Sequence, residues 1–293
     1  WTYAAPALSA AGALALIAGF WLIAAGAFLV AGAVLSIASA ALALRHRALA
    51  TAILAAAAVC WTVGTGAWLA GYTMPSVAGW WLNFLVLTIA AERLELSRLS
   101  APGALMQFLF VAACLLVVAG TARNELAQDT APLTGAGLII MTAWLLRYDI
   151  AVRTIRTSGT ARFSAACMLA GYVWLATAGL LLLITSPTAA AFSYDAAIHA
   201  IAIGFVLSMI FGHAPIIFPA VTGLRVRAST AGYVPLALLH ASIGLRVVAD
   251  LTEWQEGREA SGLATVAAIA LYALVIIASS LKRERRPIGH GAF

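Results

Sequence analysis

The amino-acid sequence predicts an all-α integral membrane protein, a bundle of about ten transmembrane helices with both termini cytoplasmic. Three observations predict it. Of 293 residues, 63% are hydrophobic and 10% charged, with a mean hydropathy of +1.00, whereas roughly a quarter of a soluble domain is charged. Apolar segments of the ~20 residues that a bilayer demands recur along the whole chain. The basic residues fall on alternate connections between those segments, the pattern that positive-inside orientation leaves.

The first two segments, 6–23 and 26–44, contain no charge between them. At ~1.5 Å per residue one helix of that length would far outrun the membrane, so a hairpin is expected near residues 24–26. Segments 48–70 and 76–92 follow, with Trp61, Trp68, Trp80, Trp81 and Tyr72 gathered around their short connection as an interfacial aromatic belt. Segments 104–120 and 132–148 flank a connection carrying Glu125 and Asp129. The remaining four are 162–184, 195–219, 231–251 and 261–281. The longest polar connection, residues 249–260, is too short to bury a core of its own, so residues 1–293 read as a single polytopic membrane domain.

Fourteen of the 17 basic residues lie on alternate connections: Arg45 and Arg47; Arg93 and Arg98; Arg147, Arg153, Arg156 and Arg162; Arg225 and Arg227; Lys282, Arg283, Arg285 and Arg286. Those sides are expected to be cytoplasmic, at the plasma membrane, with the final basic run against anionic headgroups of the lipid bilayer. The acidic connection with Asp250, Glu253, Glu256 and Glu259 then lies outside. This asymmetry accounts for the net charge of +6, leaves no continuous basic stripe, and excludes a nucleic-acid partner. No charged region precedes the first apolar segment, so no cleavable signal peptide is read there. Cys60, Cys114 and Cys167 fall in three different segments with no CxxC pattern and read as buried free thiols.

Chemistry concentrates in the second half. The first five segments hold no histidine apart from His46 in a connection, and the run 199–219, HAIAIGFVLSMIFGHAPIIFP, has no counterpart there that would mark a two-fold repeat. Fourteen residues at ~100° each put His199 and His213 on one helix face, ~21 Å apart. On the next helix, running back, His240 lies ~14 Å from the cytoplasmic end, level with His213. Neutral imidazole is the common ligand of haem iron and of copper, and two from facing helices can clamp a haem b or supply part of a metal site. His213 and His240 are therefore candidate cofactor ligands, with His199 a third candidate metal ligand. Gly212, Ala237, Ala241 and Gly244 leave room for a flat cofactor beside them. Pro215 frees the carbonyl of Phe211, so the helix should bend just after His213, and the freed carbonyl could orient an imidazole. The rival reading is that each histidine only hydrogen-bonds between helices. Gly204, Ser208 and Gly212 make a small-residue face that admits another helix or a flat ligand.

Two charged constellations frame the histidines. Near the outer surface, Asp195 and His199 sit one turn apart, and Arg246 and Asp250 reach the same depth on the next helix. An ion pair locking two helices, a propionate anchor through Arg246, a proton route and a second metal site are all open there. Toward the cytoplasm, Glu92, Arg93, Glu95 and Arg98 end one helix and Arg147, Tyr148, Asp149 and Arg153 end another. They either form solvated salt bridges or carry protons to the depth of His213. Glu92 is the member expected closest to the lipid core. Asp195, Asp250 and Glu92 are thus candidate proton or charge relays.

The residues His199, Ala200, Gly204 and Met209, with Leu245, Arg246 and Val247 on the next helix, resemble the NnrS family of polytopic membrane proteins. The resemblance covers about two helices and implies association with haem and copper and with the response to nitric oxide. Residues 212–221, GHAPIIFPAV, depart from that family's pattern, so His213 rests on depth alone. The leading expectation is a haem b- or copper-binding membrane protein in electron transfer or nitrogen-oxide redox chemistry, beside a redox partner such as a copper oxidase or nitrite reductase. The alternative is a ten-helix proton-coupled secondary transporter of the drug/metabolite type, with Asp195, His199, Glu92 and His240 as protonation sites. A purely structural membrane subunit is the third reading.

Overall fold

The computed structural model describes residues 3–188, 192–224 and 229–281. Among them the chain is helical throughout, without a strand: α1 (Ala4–Ile17), α2 (Trp21–His46), α3 (Leu49–Leu69), α4 (Met74–Leu96), α5 (Ala104–Ala122), α6 (Pro132–Tyr148), the single turn α7 (Ala151–Thr154), α8 (Gly159–Ile184), α9 (Ser193–His199), α10 (Ser208–Thr222), α11 (Tyr233–Leu251) and α12 (Gln255–Leu281). Eight helical stretches are long and apolar enough to cross a membrane: α2 to α5, α8, the continuous run Ser193–Thr222, the run Thr230–Leu251, and α12. The protein is a multi-pass membrane protein. α1 and α6, at 14 and 17 residues, are shorter. Arg225, Arg227 and the basic residues Lys282, Arg283, Arg285 and Arg286 lie outside the described residues.

The first hairpin turns earlier than residues 24–26. Gly19 takes φ +85, a left-handed value that suits glycine. There the amides of Gly19 and Phe20 cap the carbonyls of Leu16 and Ala15, at 3.0 and 2.8 Å, and close α1. Gly26, in contrast, sits within α2. Uniform apolarity on both sides left composition nothing with which to choose between them.

Helices joined by short connections pack as neighbours: α1 on α2, α2 on α3, α3 on α4, α5 on α6, and α11 on α12. α8 is the hub, packing against α6, α9 and α10. The main core runs from α3 to α9 and on to α11; a smaller one joins Phe163 and Cys167 of α8 to Phe211, Leu239 and Tyr272 of α10 to α12. The three cysteines are buried and unpaired, and Trp68 packs between Trp21 and Trp81, so the aromatic belt also ties α2, α3 and α4 together.

Between α9 and α10 the chain is π-helical over Ala200–Leu207. An i→i+5 ring turns less per residue than an α-helix. The ~100° arithmetic that puts His199 and His213 on one face therefore does not apply. This irregularity precedes His213, whereas α10 itself continues through Pro215 and Pro219 to Gly223, where φ +73 ends it. The carbonyl that Pro215 frees, that of Phe211, accepts the hydroxyl of Tyr272 on α12 rather than an imidazole.

The small face of the run meets α8. A Cβ on Gly204 would come within 2.4 Å of the Trp174 ring, and one on Gly212 within 3.1 Å of Ser164 and Cys167. A helix, not a flat ligand, fills that face.

Candidate functional site

Two buried charged clusters lie where the sequence concentrates its ionisable residues, but with different partners from those expected. In the last turn of α4, Glu92 is exposed and Arg93 is buried, with only 4% of its surface accessible. Arg93 is thus the residue that enters the protein, and Glu92 faces outward from the neighbouring position. Arg93 Nη2 donates to His213 Nε2 at 2.9 Å and Nη1 contacts Met168 Sδ at 3.3 Å. Its Nε lies 4.0 Å from Asp149 Oδ2 and is otherwise unpartnered.

Asp149 follows the last residue of α6 in extended backbone, which turns its carboxylate back into the bundle. One oxygen accepts the amide of Ala151 at 2.6 Å, and the other accepts the hydroxyl of Tyr172 from α8 at 2.9 Å. The cluster therefore links α4, α6, α8 and α10 through groups that are hydrogen-bonded, as buried polar groups must be. Its one loose joint is the 4.0 Å separation between Arg93 and Asp149.

Hydrogen-bond partners set the tautomers of the three histidines. His213 Nδ1 lies 2.6 Å from the Met209 carbonyl, an acceptor, so Nδ1 carries the proton and Nε2 offers a lone pair to Arg93. His240 Nδ1 lies 2.8 Å from the indole Nε1 of Trp174, a donor only, so here the proton is on Nε2, which is buried without a partner. His199 Nδ1 donates to the backbone carbonyl of Asp195 at 2.7 Å.

His213 and His240 consequently go to different neighbours, α4 and α8, and do not form the expected clamp. α10 and α11 are consecutive in sequence, yet α10 packs mainly on α8, and α11 on α9 and α12. The room expected beside the ligands is also taken: Trp174 lies edge to edge with His240, nearly coplanar at an interplanar angle of 8°, and reaches toward Gly244, while Ala237 and Ala241 face outward. Among the described residues no group of three or more His, Cys, Asp and Glu side chains comes together to hold a metal. With one imidazole lone pair held by Arg93 and the other nitrogen protonated by default, these residues as arranged do not fit a bis-histidine haem or copper site.

At the other cluster, Asp195, Arg246 and Asp250 do come together, and a fourth residue, Arg258, completes them. Arg246 Nε reaches both oxygens of Asp250 at 2.9 and 2.8 Å, and Arg258 Nε reaches Oδ1 at 2.7 Å. Asp195 Oδ2 lies 3.3 Å from Arg246 and 2.6 Å from Arg258. Two carboxylates and two guanidiniums thus cancel, and Arg258 also stacks on Phe192 at 3.3 Å. Arg258 carried a signal in the sequence: with Arg123 and Arg246 it is one of the three basic residues off the alternating pattern, where a cation needs a local partner. His199 contributes no charge contact to this cluster. Glu125, buried in the other acidic connection, accepts the amides of Leu133 and Thr134 at 3.3 and 3.0 Å and caps α6.

One groove reaches this chemistry. It has a volume of ≈ 540 Å³ and runs between α4 and α10, lined by Phe84, Leu85, Ile89, Met209 and Ile217 with His213 and Glu92 among them.

No curated protein and no solved structure matches the chain. A family model does match, over residues 1–281, and the chain accordingly belongs to the family described as a domain of unknown function, DUF8744.

Proposed function

We propose that the protein is a proton-coupled secondary transporter of the plasma membrane, with ten membrane-crossing segments, both termini cytoplasmic and His213 as its proton-exchanging group. One observation carries the reading: His213 lines the α4–α10 groove while its Nε2 holds a buried arginine whose carboxylate partner stands 4.0 Å away. Intramembrane ionisable groups are costly and mark function.

On this reading Arg93 is a two-state element. With Nε2 unprotonated, His213 accepts from Arg93. A proton added at Nε2 removes that acceptor and sets two positive charges at hydrogen-bond distance. Arg93 then gains by moving onto Asp149, whose oxygens already bond Tyr172 and Ala151. Occupancy of the groove and the protonation of His213 are thereby coupled through one side chain. Glu92 faces the same groove. On this reading α1 and α6, short for a hydrocarbon core of ~30 Å, cross by thinning the bilayer locally.

The test is proton movement in proteoliposomes holding a pH-sensitive dye, on addition of a panel of apolar cationic, neutral and anionic compounds. At least one compound should drive proton flux in wild type and none in His213→Ala. Proton flux through His213→Ala equal to wild type, or no flux with any compound, would overturn the reading.

The haem or copper reading, which the resemblance to NnrS carries, has one observation in its favour: the buried, unpartnered Nε2 of His240. Ligation through that atom requires the proton to leave Nε2 and Trp174 to give up its acceptor. A reduced-minus-oxidised spectrum with metal analysis of wild type and His240→Ala tests it; stoichiometric haem or copper lost in the variant would favour this reading over transport.

A further inference from the structure

We infer that the α4–α10 groove binds a lipophilic cation, its apolar body along Phe84, Leu85, Ile89 and Ile217 and its positive head at Glu92. This names the substrate class of the transport reading above and rests on it.

The argument is one of remaining valences. At ≈ 540 Å³ the groove falls within the range of small-molecule sites. Its few polar side chains are nearly all engaged. Thr88 donates to the Phe84 carbonyl at 2.6 Å and Thr222 to the Phe218 carbonyl at 2.7 Å. His213 uses both ring nitrogens, on Met209 and Arg93. Glu92 is the exception: among the described residues its carboxylate has neither a hydrogen bond nor an ion pair.

Charge points the same way. Nearby, Arg93 is balanced by Asp149, and Arg98 by Glu95 at 2.9 Å. His213 is neutral while its Nε2 accepts from Arg93. Among the described residues, what remains facing the groove is the single negative charge of Glu92, beside an apolar lining. An exposed carboxylate beside an apolar groove favours a weakly hydrated monovalent cation whose large apolar body the groove can bury. Neutral apolar molecules gain only the groove, and anions are repelled.

The experiment is equilibrium binding of radiolabelled tetraphenylphosphonium to the detergent-purified full chain, without a pH gradient, with uncharged triphenylphosphine oxide as competitor. Wild type should bind, Glu92→Asp should retain binding, and Glu92→Gln should bind about tenfold or more weakly. Glu92 is exposed, so the glutamine variant should fold, which its size-exclusion profile checks. Ala214→Trp, which fills the groove, should abolish binding without touching the carboxylate. Equal binding by wild type and Glu92→Gln, no binding by wild type, or equally strong competition by the oxide would overturn the inference. The two readings fail separately. Glu92-dependent binding with no proton flux defeats transport and keeps the site, whereas flux driven only by neutral or anionic compounds keeps transport and defeats the site.

Discussion

Replacing Asp250 by asparagine removes the keystone of the four-residue cluster. Its side chain is fully buried and receives Arg246 Nε at 2.9 and 2.8 Å and Arg258 Nε at 2.7 Å. The two guanidiniums, 17% and 14% exposed, would be left to share Asp195, which is itself 31% exposed. Removing one partner of a buried ion pair costs about 3–5 kcal/mol, because the other charge stays buried and uncompensated. Asp195 still neutralises one of the two cations, so the lower end, about 3 kcal/mol, is expected. Asp195→Asn should cost less, about 1 kcal/mol, since water reaches that carboxylate and Asp250 still holds both arginines. Cys60, Cys114 and Cys167 are all buried and free, so a thiol-reactive fluorophore reports unfolding in detergent directly. The expected order of midpoints is wild type, then Asp195→Asn, then Asp250→Asn, with Asp250→Asn/Arg258→Gln recovering part of the loss. An Asp250→Asn protein that melts with wild type, or no later than Asp195→Asn but no earlier, would refute the keystone role.

Other perturbations read other joints of the bundle. Tyr172→Phe removes the donor to Asp149 Oδ2 from a buried pair at 2.9 Å, and should destabilise the protein by about 1–3 kcal/mol in the same thermal assay. Gly204→Val drives carbon into Trp174, whose ring is 2.4 Å from where a Cβ would stand; a loss of about 1–3 kcal/mol from overpacking is expected, with a shift in tryptophan fluorescence as the local indicator. Glu125→Ala strips the cap from α6 and leaves the amides of Leu133 and Thr134 unanswered, at a cost of about 0.5–2 kcal/mol in thermal midpoint measurements.

Class and segmentation were legible in the chain because they depend on additive, local quantities. Every predicted apolar segment after the first overlies one helical stretch, since twenty apolar residues in a row satisfy lipid only by bonding their own backbone, whereas 6–23 straddles the turn at Gly19 between α1 and α2. The charged positions were legible too: Asp195, Arg246 and Asp250 were singled out because an ionisable group in a span must find a partner, and each did. Arg93 and Asp149 were likewise noted as able to bridge to each other or to carry protons to the depth of His213. The choice between Glu92 and Arg93 was not, because adjacent residues on a helix point ~100° apart and only the packing of α4 says which points in.

What the tertiary structure alone decided is which polar groups meet. His213 pairs with Arg93 across 120 residues and His240 with Trp174 across 66, where the expectation was a cofactor held between the two histidines. Equal depth is a condition for sharing a ligand, but sharing one also needs rotational phase. In a soluble helix, a polar face fixes that phase through its periodicity. These helices are apolar nearly all round, as lipid permits, so their sequence carries depth without direction. The π-helical turn between His199 and His213 then shifts the phase again. Direction comes from how α8 fits against Gly204 and Gly212, which is shape complementarity between segments distant in sequence and exists only once the bundle has closed.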